Sequence, residues 1–135
     1  MVFVDHGHVF LALFRRNCIK VLVMTIVITA LLILHGALHL PGFIKAFQPA
    51  SFRALNLAVS RDNGILWLTA AILFVTAGIL FVLQFSWWWM FCFSGIIISQ
   101  YLIINYWSAA KFGTVANVIM LVFSAFGFII WVNLI

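Results

Sequence analysis

The sequence has 135 residues, of which 67% are apolar and only 7% are charged. An ordinary soluble domain is about a quarter charged and about half apolar, so the composition excludes a soluble globular enzyme, a disordered chain and a typical nucleic-acid-binding protein. Seven Lys or Arg against two acids give a net charge of +5, which is typical of short loops beside anionic lipid. We therefore expect membrane lipids, and no nucleic acid, among the partners of this chain.

Four continuous apolar stretches are long enough to cross the hydrocarbon core of a bilayer, which takes about 20 residues of helix. We predict spans at residues 21–40, 64–85, 87–107 and 113–133. The apolar runs do not alternate with polar residues, so they indicate helices and not the strands of a barrel. Since the spans leave no room for a soluble domain, residues 1–135 are predicted to form a single membrane domain.

The connections between the later spans are very short, one at Ser86 and one at residues 108–112. Short connections force neighbouring helices to run antiparallel, so we predict an all-α integral membrane protein with an antiparallel bundle of four transmembrane helices. Both termini then lie on one face of the membrane, side A, and the opposite face is side B. The positive-inside rule does not orient the bundle, because the cations divide almost evenly: Arg15, Arg16 and Lys20 on side A; Lys45, Arg53, Arg61 and Lys111 on side B.

The connection at residues 41–63 is the only long one. Ser51 is a suitable cap for a short amphipathic helix at residues 52–60, which would lie in the side-B interface; an irregular loop is the alternative. Trp and Tyr residues stand near the span ends, among them Trp67 and Tyr106. Their amphipathic rings favour the headgroup level of the membrane, so we predict that they form aromatic belts.

The larger polar residues inside the spans fall mainly in the side-B half. His35 and His39 are one turn apart on one stripe of the first span, and antiparallel threading brings polar residues of the third and fourth spans to a similar depth. Intramembrane polar groups are costly and usually face the bundle interior. The pattern predicts a ligand-binding site of His35, His39, Gln100, Asn105, Lys111 and Asn117, with Asp62 at its rim.

The alternative interpretation of this cluster is hydrogen bonding between helices, which is worth only about 0.6 kcal/mol per contact. As a site, the pair His35 and His39 has the spacing to share a divalent metal, and a single His can ligate haem or hydrogen-bond a quinone or lipid headgroup. A chain with no cofactor at all is also consistent with the pattern. The sequence has no nucleophile–base–acid set, no glycine-rich phosphate loop and no paired carboxylates, so an enzyme is not favoured.

Several segments resemble a small uncharacterised bacterial family of four-span membrane proteins: residues 34–47 (Leu-His-Gly-Ala-Leu-His-Leu-Pro-Gly-Phe-Ile-Lys-Ala-Phe), residues 64–68, Ser99-Gln100 and residues 110–119 (Ala-Lys-Phe-Gly-Thr-Val-Ala-Asn-Val-Ile). The resemblance covers about residues 30–122 and extends distantly to the DoxX-like membrane proteins. The chain departs from the family pattern at residues 108–110, where an acidic residue is expected. The resemblance implies a bacterial inner-membrane location and, through the DoxX-like proteins, a link to redox or quinone chemistry.

These observations favour a small non-catalytic accessory subunit, or module, of a larger membrane complex, with other membrane subunits or further copies of the chain as partners. The basis is the near absence of mass outside the membrane and of any catalytic set. The second hypothesis is a redox or quinone-linked, or metal- or haem-binding, membrane protein that uses the His pair. The third is a carrier of a lipid or small molecule, although the sequence shows no inverted repeat of the kind that many transporters contain.

Overall fold

The protein is described by a computed structural model for residues 6–48 and 58–133, with side chains described from Cys18 onward. The helices are α1 His6–Ala37, α2 Leu40–Phe47, α3 Arg61–Val82, α4 Trp88–Asn105, the short α5 Trp107–Ala110 and α6 Gly113–Val132. These ranges contain no strand. Four segments are long and apolar enough to cross a membrane: Cys18–Phe47, Arg61–Val82, Trp88–Asn105 and Gly113–Val132. The predicted all-α, four-helix membrane fold is therefore confirmed.

The helix boundaries differ most from the prediction before and after the first span. The first helix begins at His6, well before residue 21, and ends at Ala37. Within the predicted interfacial segment 41–63, the structure places a helix earlier than expected, at α2. The helix predicted at residues 52–60 falls mostly outside the described residues, and its last three positions, 58–60, are not helical.

Proline explains why α1 and α2 are two helices. Pro41 has no N–H to donate to the carbonyl of Ala37, and its ring would clash with that carbonyl in a continuous helix. The chain therefore tightens after Ala37, where the His39 N–H donates to the Gly36 carbonyl at 3.1 Å. Pro41 then lies in the first turn of α2, where a missing N–H costs nothing. The result is a sharp break at the side-B end of the first span.

The long helices pack in a row, α1 on α3, α3 on α4 and α4 on α6, and α2 packs on the start of α3. The core lies along this row and is formed by Ile28, Leu32, Phe74, Ala77, Trp88, Cys92, Ile96 and Met120. Within the described residues, α1 and α6 are not among the closely packed pairs. They therefore form the two ends of the row, and side chains rather than close backbone packing connect them.

A Schellman motif ends α3 and turns the chain into α4. The Phe85 N–H donates to the Leu80 carbonyl at 2.9 Å and the Gln84 N–H donates to the Phe81 carbonyl at 3.0 Å. This pattern requires a left-handed backbone at the residue after the cap, and Gln84 has a φ of 60°. Glutamine carries a steric cost there that glycine does not.

We expect Gln84→Gly to stabilise the protein by about 1 kcal/mol, because glycine adopts this backbone without the Cβ clash. The measurement is the free energy of unfolding in bicelles. Leu83→Gly is the matched control: Leu83 has a φ of −79°, so glycine brings no relief there and should destabilise. A loss of stability in Gln84→Gly would contradict the expectation.

Candidate functional site

Asn117 on α6 is the centre of a buried hydrogen-bond network. Its Oδ1 atom lies 2.9 Å from His35 Nε2 and accepts from Ser99 Oγ at 3.1 Å. Its Nδ2 atom donates to Gln100 Oε1 at 3.1 Å, and Gln100 Nε2 donates in turn to the Thr114 hydroxyl at 3.4 Å. The network therefore joins α1, α4 and α6 at one level of the side-B half.

The protonation of both histidine rings follows from their partners. Because Asn117 Oδ1 can only accept, His35 donates from Nε2, and its other nitrogen, Nδ1, is buried with no partner. His39 Nδ1 lies 2.9 Å from the main-chain oxygen of His35, which also can only accept, so Nδ1 of His39 carries the proton. In neutral His39, Nε2 is then a lone-pair acceptor.

The His39 bond has a structural cause. At the end of α1, the His39 N–H turns to the Gly36 carbonyl and leaves the His35 carbonyl without its usual main-chain donor. The side chain of His39 supplies that donor, as side chains commonly do at helix ends. The break imposed by Pro41 therefore fixes both the orientation and the tautomer of His39.

Aromatic rings hold the two imidazoles in place. The ring centroid of Phe74, a fully buried residue, lies 4.6 Å from that of His35 and 5.5 Å from that of His39. Trp67 also packs on His39, with its ring centre 5.3 Å from that of His39. The two histidine rings are themselves 5.0 Å apart in an edge arrangement. Close packing on several sides leaves these rings little freedom to rotate.

A cavity of about 440 Å³ lies beside the histidines, between the two ends of the helix row. Its lining combines residues of the α1–α2 break, α3, α4, α5 and α6: His35, Leu38, His39, Pro41, Gly42, Val59, Trp67, Ser99, Ile103, Tyr106, Ala109, Ala110, Phe112, Gly113 and Ala116. No charged side chain is among them. Two apolar residues, Leu38 and Phe112, are 70% and 79% exposed and therefore mark the mouth of the cavity.

Three ring nitrogens of the described cavity wall lack hydrogen-bond partners, which is uncommon for buried polar atoms. In the described part of the chain, His35 Nδ1 and Trp67 Nε1 are buried and make no hydrogen bond. His39 Nε2 has no hydrogen bond either, and it is not among the fully covered atoms. Since His39 is only 4% exposed and lines the cavity, the remaining surface of Nε2 faces the cavity.

The structure brings together four of the residues predicted from the sequence: His35, His39, Gln100 and Asn117. The other three lie elsewhere. Asn105 is exposed and donates to the Tyr101 carbonyl of its own helix. Lys111 is exposed, with Nζ 5.4 Å from the ring centre of Phe112, as expected for a cation that extends toward the interface.

Asp62, the predicted rim residue, is exposed in the first turn of α3 and is not part of the cavity wall. Its place is explained by the start of the helix, where Ser60 Oγ accepts from the Asn63 N–H at 3.3 Å and where an acid interacts favourably with the helix dipole. Asn63 beside it donates to the Tyr106 hydroxyl at 2.8 Å. This bond ties the start of α3 to the end of α4.

The sequence predicts Trp67 and Tyr106 in the aromatic belt, and the structure shows that both line the cavity wall. The sequence gives no indication of a role for Gly42, although an added Cβ there would lie within 3.0 Å of the Trp67 ring carbons. The available signal was position, since these residues fall at the same end of the bundle as the histidines. Ser99 was visible as a polar residue beside Gln100, and it proves to be fully buried.

A metal site at His35 and His39 would have few protein ligands. Among the described residues, no group of three or more His, Cys, Asp or Glu side chains is placed to hold a metal ion. Two imidazoles supply half of the four ligands that a structural zinc site takes. The remaining histidines of the sequence, His6 and His8, belong to the opposite end of α1.

Comparison of the chain with protein-family profiles, curated proteins and solved structures finds no match. The geometry of the helices and the cavity is therefore the basis for any functional conclusion. The resemblance to the small bacterial family and to the DoxX-like proteins stays a prediction.

Proposed function

We propose that this chain is a non-enzymatic integral membrane protein whose side-B cavity binds a small, uncharged and largely apolar molecule. One observation carries the proposal: a buried histidine, His39, presents an unpartnered nitrogen to a cavity of about 440 Å³. Small-molecule sites are typically cavities of about 300–1,000 Å³ with mainly apolar walls and a few polar groups. The side-B cavity has this size and this composition.

The lining favours a neutral ligand. A charged molecule in an apolar environment requires an opposite charge or several hydrogen bonds, and the described residues of the wall include no Asp, Glu, Lys or Arg. It contains rings and aliphatic groups instead, among them Trp67, Tyr106, Ile103 and Phe112. The hypothesis of a ligand-binding protein that uses the pair His35 and His39 is thus proposed in the form of a site for an organic molecule. The hypothesis of a carrier for a lipid or small molecule would use the same cavity.

We also propose that the chain is an accessory subunit of a larger membrane complex, a role that is compatible with a bound ligand. Its support is the wide exposed apolar surface of the helices, which lipid or another subunit would cover. The middle of α1 is the clearest case. Four successive apolar residues there, Val21, Leu22, Val23 and Met24, are each exposed by half or more. Partner subunits, further copies of the chain and a bacterial inner-membrane location stay predictions.

Filling the cavity tests the proposal. We expect Ala116→Phe to weaken binding of the apolar probe para-hexylanisole at least about tenfold, because the new ring occupies the volume beside Asn117 that the probe needs. Binding is measured by equilibrium titration of the protein in lipid nanodiscs, with empty nanodiscs subtracted for partitioning into lipid. The matched control is Val115→Phe, which adds the same ring to the adjacent position, 62% exposed on the outer surface of α6.

Binding that is lost in Ala116→Phe and kept in Val115→Phe supports a ligand in the cavity. Binding that is the same in both variants and in the unchanged protein would place the probe in lipid or on the outer surface. That result would overturn the proposed function.

A further inference from the structure

We propose that the molecule bound in the cavity carries a hydroxyl group, as an alcohol or a phenol, and donates it to His39 Nε2. This inference rests on the proposed function and adds the chemical class of the ligand. It follows from the direction of one hydrogen bond and from the space beside the opposite ring nitrogen.

The hydrogen bond fixes which side of the His39 ring can donate. A main-chain carbonyl oxygen only accepts, so the contact of 2.9 Å between His39 Nδ1 and the His35 oxygen places the proton on Nδ1. His39 is 4% exposed, and the described part of the cavity wall offers no acid to balance an imidazolium. The buried ring is therefore neutral, since an unpaired charge in an apolar wall is strongly unfavourable, and Nε2 presents a lone pair.

The lone pair has no donor within the described protein. Among the other polar groups of the described wall, the Ser99 hydroxyl donates to Asn117 Oδ1, the Tyr106 oxygen accepts from Asn63 Nδ2, and His35 Nδ1 and Trp67 Nε1 are enclosed. His39 Nε2 alone among these nitrogens retains surface toward the cavity. A ligand that only accepts, such as an ether, ester or ketone, leaves this nitrogen unpaired, whereas a hydroxyl satisfies it.

The rest of the wall sets the remaining features of the ligand. The cavity is bordered by the rings of Trp67, Tyr106 and Phe112 and by the aliphatic chain of Ile103, which suit a flat or branched apolar body. Its mouth lies between Leu38 and Phe112, both apolar and exposed. The predicted ligand is therefore an uncharged hydroxylated molecule that is soluble in lipid.

Two probes that differ only in whether the phenolic oxygen carries a hydrogen or a methyl group test the inference on the unchanged protein. Para-hexylphenol and para-hexylanisole have the same ring and chain, but only the phenol donates a hydrogen bond. We expect the phenol to bind about tenfold more tightly in nanodiscs, after subtraction of partitioning into empty nanodiscs, because loss of a hydrogen bond to a buried group has about this effect. The ¹⁵N resonance of His39 Nε2 should shift with the phenol and not with the anisole.

Variants assign the preference to His39. In His39→Phe the ring contacts are kept and Nε2 is lost, so the two probes should bind with equal affinity. Tyr101→Phe is the matched control, because it removes a hydroxyl from a ring of α4 that is 52% exposed and is not part of the described cavity wall; it should retain the preference for the phenol. Retention of the preference in His39→Phe, or its loss in Tyr101→Phe, would overturn the assignment.

The outcomes separate this inference from the function on which it rests. Equal affinity of both probes in the unchanged protein, with binding still abolished by Ala116→Phe, refutes the hydroxyl and leaves the cavity as a binding site. Binding of both probes that Ala116→Phe leaves intact refutes the site itself. A ¹⁵N shift with both probes also counts against the inference, since the anisole has no proton to donate.

Discussion

Replacing Asn117 with leucine should lower the free energy of unfolding by about 2 kcal/mol. The side chain makes three hydrogen bonds, to His35, Ser99 and Gln100, and hydrogen bonds between membrane helices are worth about 0.6 kcal/mol each on average. The loss exceeds that of an isolated contact because three groups on two other helices, the buried His35 and Ser99 and the half-buried Gln100, lose their partner together. The cavity should also change shape, since the His35 ring is no longer held from α6.

The measurement is unfolding of the protein in bicelles, followed by near-ultraviolet circular dichroism. Asn105→Leu is the matched control: the same substitution, at a position where the amide is exposed and donates only to the Tyr101 carbonyl one turn earlier. It should change stability by less than about 0.5 kcal/mol. Equal losses in both variants would show that the network at Asn117 is not a special contributor to stability.

A single methyl group at Gly42 should destabilise the protein by about 1–3 kcal/mol, the usual cost of overpacking. The added Cβ would lie within 3.0 Å of several ring carbons of Trp67, and this ring is rigid and packed on His39. In an unconstrained helix, alanine is favoured over glycine by about 1 kcal/mol, so the expected loss is a net effect against propensity. Probe binding should weaken as well, because Gly42 and Trp67 both form the cavity wall.

Gly78→Ala provides the comparison for Gly42→Ala. The nearest atom to an added Cβ at Gly78 is Cγ1 of Ile33 at 3.2 Å, the movable part of an aliphatic side chain. We expect a change in unfolding free energy of less than about 1 kcal/mol there, with probe binding unchanged. Destabilisation at Gly78 as large as at Gly42 would mean that crowding against Trp67 is not the decisive feature of Gly42.

The spans were predictable because the free energy of insertion depends on length and apolar content, both of which are explicit in the sequence. The short connections then fixed the antiparallel order, and with it the depth of each polar residue. His35, Gln100 and Asn117 meet in the structure because their depths match. Depth along the membrane normal was thus the most reliable information about the site that the sequence contained.

The sequence did not predict which face of each helix turns toward the interior of the bundle, and Asn105 shows why. It follows Gln100 by five residues, which is roughly 140° around a helix, so the two amides point to different sides of α4. An amphipathic helix reveals its inner face by its polar stripe, but the few polar residues of α4 are spread over different sides of a mainly apolar helix and form no such stripe. Only packing against α3 and α6 selects the face that carries Ser99 and Gln100.

The role of the α1–α2 break was also hidden. Pro41 indicates the end of a helix, but the sequence does not show that the His39 side chain replaces the missing main-chain donor at His35. That replacement determines which nitrogen of His39 faces the cavity. The place of Trp67 in the cavity wall was hidden for a related reason: proximity to a span end is shared by belt residues and by residues that close a cavity near the membrane surface.

Within the described residues, α1 and α6, the two ends of the row, are connected by side chains such as His35 and Asn117 and not by close backbone packing. This arrangement determines which concentration of ligand governs the occupancy of the cavity. The cavity lies between those ends, and its exposed rim is apolar. A hydroxylated, lipid-soluble molecule accumulates in the bilayer far above its level in water, and it would reach His39 sideways from that reservoir without passing through the aqueous phase. A modest intrinsic affinity then suffices for high occupancy of the cavity. Dissociation constants should therefore be expressed as moles of ligand per mole of lipid.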